Sequence, residues 1–322
     1  VFIASTREPT DATGALYSGA RAQHLGLVSV DVSVPPGHKT GTIKRPKSLP
    51  PDPRKEFAVV NPVAYAADQA FINAINAQLA QRPLKDRNIL LFVHGYNNST
   101  SDAVLRLAQF VHDTGYTGVP VLFDWASADK LTRYVYDLNS ALIARANLEE
   151  VGEILGRTKT QSYDVFAHSM GTFLTMESLV AAAQKGTMEN TGKLHTIVLA
   201  SPDIDLDLFR IQMAHLDTKK MPIYVLLSQD DSALSVSKAL AGGVPRVGAS
   251  DAADLAHLGV IAIDLTEIHD SSSGSHSKFA GSPEVVQLLG HGVMRHDHFD
   301  KEGEPTNLGE LIVGVPISVV FE

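Results

Sequence analysis

Apolar residues in this chain come in short unbroken runs, and between the runs they recur at every third or fourth position. The runs are ILLFVHG (89–95), VPVLFDW (119–125), SYDVFAHS (162–169), HTIVLASP (195–202), PIYVLLSQ (222–229) and VIAIDL (260–265). They lack the polar alternation of a sheet with one wet face, so they predict parallel strands buried on both faces. The segments SDAVLRLAQFVHDTG (101–115), SALIARANLEEVGEILG (140–156), MGTFLTMESLVAAAQKG (170–186) and DLFRIQMAHLD (207–217) carry helical spacing instead. Strand and helix alternate. The pattern predicts an α/β fold with a mostly parallel central sheet, helices on both faces and right-handed crossovers.

The first 85 residues break this rhythm. LVSVDVSVPPGHKTGTIKRPKSLPPDP (27–53) reads as one strand followed by extended chain punctuated by Pro35, Pro36, Pro46, Pro50, Pro51 and Pro53. Its apolar positions are too few for a separate core. The expectation is one domain over 1–322: an N-terminal edge strand and Pro-rich arm (1–85), a core of alternating strands and helices (86–290) and a C-terminal extension (291–322).

Composition narrows the function classes. The 322 residues are 44% hydrophobic with a formal net charge of −9, which argues against nucleic acid or an anionic membrane as the main partner, since both need a basic footprint. The chain has no cysteine, which excludes disulfides, thiolate metal sites and a cysteine nucleophile. No apolar run reaches membrane-spanning length. The first residue is Val1 rather than Met. A removed export signal, and with it a bacterial periplasmic or envelope location, is the expectation that start leaves open.

Chemistry concentrates at strand ends. In DVFAHSMGTF (164–173) a strand runs into a helix at Ser169, with Ala167 and Gly171 two positions either side. A sharp turn of this kind lifts a serine hydroxyl off the sheet, and its tight bend requires small flanking residues. The common pattern has glycine at both places; Ala167 departs from it by one methyl group. In LLFVHGYNN (90–98) another strand ends at His94-Gly95. There the N–H of Tyr96 could point at the same space as that of Met170, as an oxyanion hole requires. His94 itself reads as a structural histidine bonded within its loop.

Together these features resemble the alpha/beta-hydrolase superfamily. More closely, the chain is similar to the bacterial alpha/beta hydrolases grouped as domain of unknown function 900. The likeness runs through VFIASTREPT, VSVPPGHKTGTIKRP, AHSMG and SQDDSALSVSKAL. It implies an alpha/beta-hydrolase fold with a triad in the order Ser, Asp or Glu, His. For the acid, Asp231 is favoured over Asp230, because the family pattern has Asp, one residue, then Ala-Leu. Asp203 is the third candidate, and Asp203 and Asp205 fit the cap of the following helix. Among 13 histidines the base belongs on the loop after the last parallel strand, which offers His269 and His276. The resemblance favours His276, in GSHSKF, with His269 in reserve.

The expected activity is a serine hydrolase cleaving carboxylic esters of small molecules through Ser169, His276 and Asp231, with no cofactor and no metal. The stretch from Asp203 to Lys220 has room for one helix and no large lid, so the cleft should be open, edged by Tyr96, Trp125 and the arm; Trp125 reads equally as a packing residue. Two other readings compete. One is a non-catalytic envelope protein that binds a partner through this fold and its arm. The other is a metal-dependent hydrolase using His291, His296 and His298 of HGVMRHDHFD (291–300).

Overall fold

The unbroken apolar runs become strands whose successive side chains enter two different cores. The computed structural model describes residues 1–188, 191–268, 274–291 and 317–321. The N-terminal third comprises β1 (Phe2–Pro9), β2 (Tyr17–Ser33), β3 (Ala58–Tyr65), α1 (Asp68–Ala80), β4 (Ile89–Val93) and α2 (Thr100–Thr114). The middle comprises β5 (Val119–Asp124), α3 (Tyr134–Gly156), β6 (Tyr163–His168), α4 (Met170–Lys185), β7 (Leu194–Ala200) and α5 (Leu206–Met213). Then follow β8 (Ile223–Leu227), α6 (Ser232–Leu240), α7 (Ala252–Ala256), β9 (Ile261–Asp264), α8 (Lys278–Gly281), α9 (Pro283–His291) and β10 (Ser318–Val320). Among the described residues, no helix is long and apolar enough to cross a membrane.

Ile89, Leu91 and Val93 of β4 pack with α1, α3 and α4, while Leu90 and Phe92 pack with α2 and α9. β6, β7 and β8 divide their residues the same way. With both faces covered, no position on these strands can be polar without a partner, which explains the runs. Local signals fix the ends of α2: Ser99 and Asp102 form a reciprocal capping box, and Gly115 closes it at φ 66°.

Among the described residues, ten strands lie in the order β10-β9-β8-β7-β6-β4-β5-β1-β2-β3. β4 to β9 pair in parallel, and Val93, Ala167, Leu199, Val225 and Ala262 stand in one row across the sheet. The loops after β4, β6, β8 and β9 therefore leave the same edge. From β4 the chain steps one way to β5, and from β6 it steps the other way to β7. That reversal opens a crevice between β4 and β6.

The parallel sheet and its two helical layers match the sequence pattern. The N-terminal segment contributes more than one edge strand. β1 lies inside the sheet, parallel to β5 on one side and antiparallel to β2 on the other, and β3 forms the edge. Residues 34–57 contain no helix or strand and form the arm. At the far edge β10 pairs antiparallel with β9. Both additions depend on partners far away in sequence, where periodicity gives no register.

Candidate active site

Ser169 sits between β6 and α4 at φ 54°, ψ −127°, a conformation costly for any residue with a Cβ. Its neighbours hold it there. Ser169 N donates to Ala200 O at 2.9 Å, and Ser169 O accepts from Thr172 N at 2.9 Å and from Thr172 Oγ1 at 2.6 Å. The loop after β4 presses on this turn. A Cβ on Gly171 would lie 2.4 Å from His94 O, and one on Gly95 would lie 2.8 Å from Ser169 Cβ. Glycine at both positions is therefore a steric requirement of the contact between the two strand ends.

That second loop is fixed from beneath. His94 is 2% exposed; its ring stacks on Trp125 at 5.1 Å and 7°, and Trp125 Nε1 donates to His94 O at 2.7 Å. His94 Nδ1 and Asn98 Nδ2 both hold Gly95 O, at 2.8 and 3.1 Å, and Asn98 Nδ2 also reaches Tyr96 O at 2.8 Å. In a trans peptide the N–H points opposite the C=O, so anchoring Gly95 O turns the Tyr96 N–H the other way. Met170 N–H, at the first turn of α4, has no intrahelical acceptor.

Arg7 of β1 completes the support. Its guanidinium, 1% exposed, bonds Asp124 Oδ1 at 2.8 Å, Ser127 O at 2.7 Å and Asn98 O at 2.7 Å. Burial alone would raise the Asp124 pKa, but the Arg7 charge, the neighbouring His94 ring and the Thr100 hydroxyl bring it down to about 2.

On the other side of the crevice, the loop after β8 and the loop after β9 meet residue by residue. Ser232 N and Oγ donate to Gly274 O at 3.1 and 3.0 Å. Ser275 Oγ donates to Asp230 Oδ2 at 2.6 Å, and His276 Nδ1 lies 2.8 Å from Asp231 Oδ2. Asp231 is fully buried, and its other oxygen accepts from Leu234 N at 3.0 Å as the cap of α6. Lys278, 1% exposed, donates to Ser228 Oγ, Leu265 O, Thr266 O and both Asp230 oxygens at 2.8 to 3.1 Å. Asp230 thus grips Ser275 and Lys278 on either side of His276, and Asp231 is left for the imidazole. Burial acts to raise the Asp230 pKa, but the Lys278 and serine hydrogen bonds win and lower it.

Residues 67–292 match the family described as alpha/beta hydrolases of unknown function (DUF900). The chain belongs to that family. Arg7 and the arm lie before the matched region. No curated protein matches the sequence. Similar solved structures include a predicted CIB-like hydrolase from Thermoplasma acidophilum, at 16% identity over 65% of this chain and 87% of that one, with a TM-score of 0.39. An esterase from Pyrobaculum calidifontis shares 14% identity over 63% of this chain and 75% of its own, with a TM-score of 0.34. A structure described as an arylesterase shares 16% identity over 65% and 76%, with a TM-score of 0.35.

Other candidates in this hydrolase-family chain take different places. Asp205 caps α5 through Asp207 N and Leu208 N, as expected. Asp203 does not cap it. Its carboxylate accepts from Ser237 Oγ at 2.5 Å and Tyr134 OH at 3.1 Å and pairs with Arg246 Nε at 3.4 Å. Burial first, and the Asp203 charge second, push the Tyr134 hydroxyl up to about 12. Trp125 is fully buried, so it packs and does not edge the cleft. Tyr96 stands edge-on to Tyr134 at 5.4 Å. His269, His296 and His298 lie outside the described residues, and of His291 only the backbone is described.

His168 has a part that its position beside Ser169 does not announce. Its Nε2 donates to His276 O at 3.0 Å, and the two rings stand 4.8 Å apart. Desolvation, then the nearby His276, push its pKa well below the usual histidine range, so it is neutral with the proton on Nε2. It ties the turn at Ser169 to the His276 loop.

Proposed function

We propose that this protein is a serine hydrolase that cleaves carboxylic esters of small molecules. Ser169 Oγ attacks the ester carbonyl carbon while His276 Nε2 accepts its proton. Asp231 holds the Nδ1 side of the imidazole and stabilises the imidazolium as it forms. The tetrahedral oxyanion is bound by the N–H groups of Tyr96 and Met170. Collapse expels the alcohol, which takes the proton from His276. Water, deprotonated by the same imidazole, then attacks the acyl-enzyme and releases the acid.

The observation that carries the reading is the 2.8 Å contact between His276 Nδ1 and buried Asp231, on loops leaving the same sheet edge as the strained Ser169. Supporting it are the His168 Nε2 to His276 O hydrogen bond, which ties the serine turn to the loop of the base, and the glycine-only contact of the Gly95 loop with the serine turn. The test is hydrolysis of a chromogenic ester by Ser169→Ala, with circular dichroism to check the fold. The expected result is loss of all but a residual rate in a folded protein. A folded variant with near wild-type turnover rejects the assignment.

A further inference from the structure

The Pro-rich arm meets the C-terminal end of α2 through three side chains that no step of ester hydrolysis uses. His38 comes from the arm, and His112 and Asp113 come from the last turn of α2. His38 Nε2 lies 2.5 Å from Asp113 Oδ1, and the His38 and His112 rings stand 5.2 Å apart at 76°. One ligating atom from each of the three falls within 4.8 Å of the others.

Asp113 is held as a metal-ligating carboxylate is held. Its Oδ2 accepts from Gly41 N at 2.8 Å and from Gln109 Nε2 at 2.6 Å, which leaves Oδ1 turned to the histidines. Gln109 is fully buried and fixed in turn by Ala280 O at 2.9 Å. Oriented outer partners of this kind set the direction of a first-sphere ligand. The side chains of His38 and Asp113 are 6% and 1% exposed, whereas His112 is exposed.

We propose that His38, His112 and Asp113 bind one divalent transition-metal ion of the zinc class, which staples the arm to α2. Two imidazoles and a carboxylate are a donor set suited to zinc, with water as fourth ligand on the open His112 side. Zinc–ligand lengths near ~2.0–2.1 Å place tetrahedral ligands about 3.3 Å apart. The His38–Asp113 hydrogen bond opens slightly and His112 closes in. His112 lies about 18 Å along α2 from Thr100, the end that follows the loop at His94, so the ion's part is structural.

The test uses the full chain, stripped with a chelator and dialysed, then titrated calorimetrically with zinc chloride. Wild type, His112→Ala and a His291→Ala/His296→Ala/His298→Ala triple variant are compared. His112 is exposed, so its loss leaves the fold intact, and the triple variant removes competing imidazoles in the tail. Wild type and the triple variant should each bind one ion per chain at a shared high-affinity site. His112→Ala should weaken that event by more than the roughly 10- to 100-fold that loss of an outer partner costs. Zinc at about 100 times its Kd should raise the wild-type Tm by about 3–6 °C and leave that of His112→Ala in place. Unchanged binding in His112→Ala, binding abolished in the triple variant, or no saturable binding by wild type each overturns the proposal.

Discussion

Asp230 and Asp231 carry the same carboxylate one position apart, and they differ in what each one grips. Asp231 is fully buried, caps α6 and meets His276 Nδ1, whereas Asp230 binds Lys278 and Ser275 on either side of that histidine. If Asp231 orients the base, Asp231→Asn should lower kcat on the order of 10⁴-fold, as loss of the acid does in a serine-protease triad. Asp230 does not touch the imidazole, and Asp230→Asn keeps one acceptor oxygen where the carboxylate offers two to Ser228, Ser275 and Lys278. Its loss should therefore stay within about 10- to 100-fold, the worth of one or two positioning hydrogen bonds. Steady-state kinetics of the two variants decides this, and the opposite ranking would move the acid to Asp230. The tight turn at Ser169 was legible because its bend constrains the neighbouring residues to be small, a local signature. The sequence offered both aspartates at one strand end, and only the family pattern favoured one. Their separation is written in Lys278, 48 residues away from Asp230, which spacing cannot reveal.

At the scale of elements, the loop after β4 depends on the first strand, where Arg7 stands 91 positions before Asn98. His94-Gly95 marked the loop, and the expectation of a structural histidine holds in its stack on Trp125. Arg7 had no such mark, because its partner Asp124 is 117 residues away and it follows the end of the apolar run VFIA (1–4). The pair has a consequence in acid. Asp124 titrates at about 2 in the folded chain, below the ~3.9 of an unfolded aspartate. A depressed pKa contributes stability above the unfolded value, and that contribution is lost as pH falls from about 4 towards 2. Its size is about 2 kcal/mol between pH ~5 and ~2. The variant Arg7→Met/Asp124→Leu replaces the pair with apolar groups, which buried sites commonly accept. Urea titrations should show its stability falling less than that of wild type over this range, by about the same amount. Equal acid sensitivity in both proteins would show that the pair does not hold the loop electrostatically.

For the whole molecule, the parallel centre was legible because burial on both faces leaves unbroken apolar runs and covering helices leave their own period. The antiparallel flanks were not. β2 and β3 are partly exposed and their sequences mix polar with apolar residues, while β10 pairs with a strand more than fifty positions earlier. The helix α1 fell within the segment read as arm, and its weak amphipathic pattern gave no warning. The same whole-chain view separates stability from chemistry. Chelation of an ion at the end of α2 should lower Tm while leaving ester turnover unchanged, so EDTA followed by parallel melting and kinetic assays distinguishes a structural ion from a catalytic one. Turnover lost to EDTA and restored by zinc would instead favour metal-dependent hydrolysis. The central claim, that Ser169 is an activated nucleophile, meets its most direct test in covalent labelling. The protein is treated with a fluorophosphonate, its intact mass is measured, and the modified peptide is mapped. The account predicts one adduct per chain, on Ser169, formed at a rate that collapses in His276→Ala; an unlabelled protein, or an adduct on another residue, would contradict it.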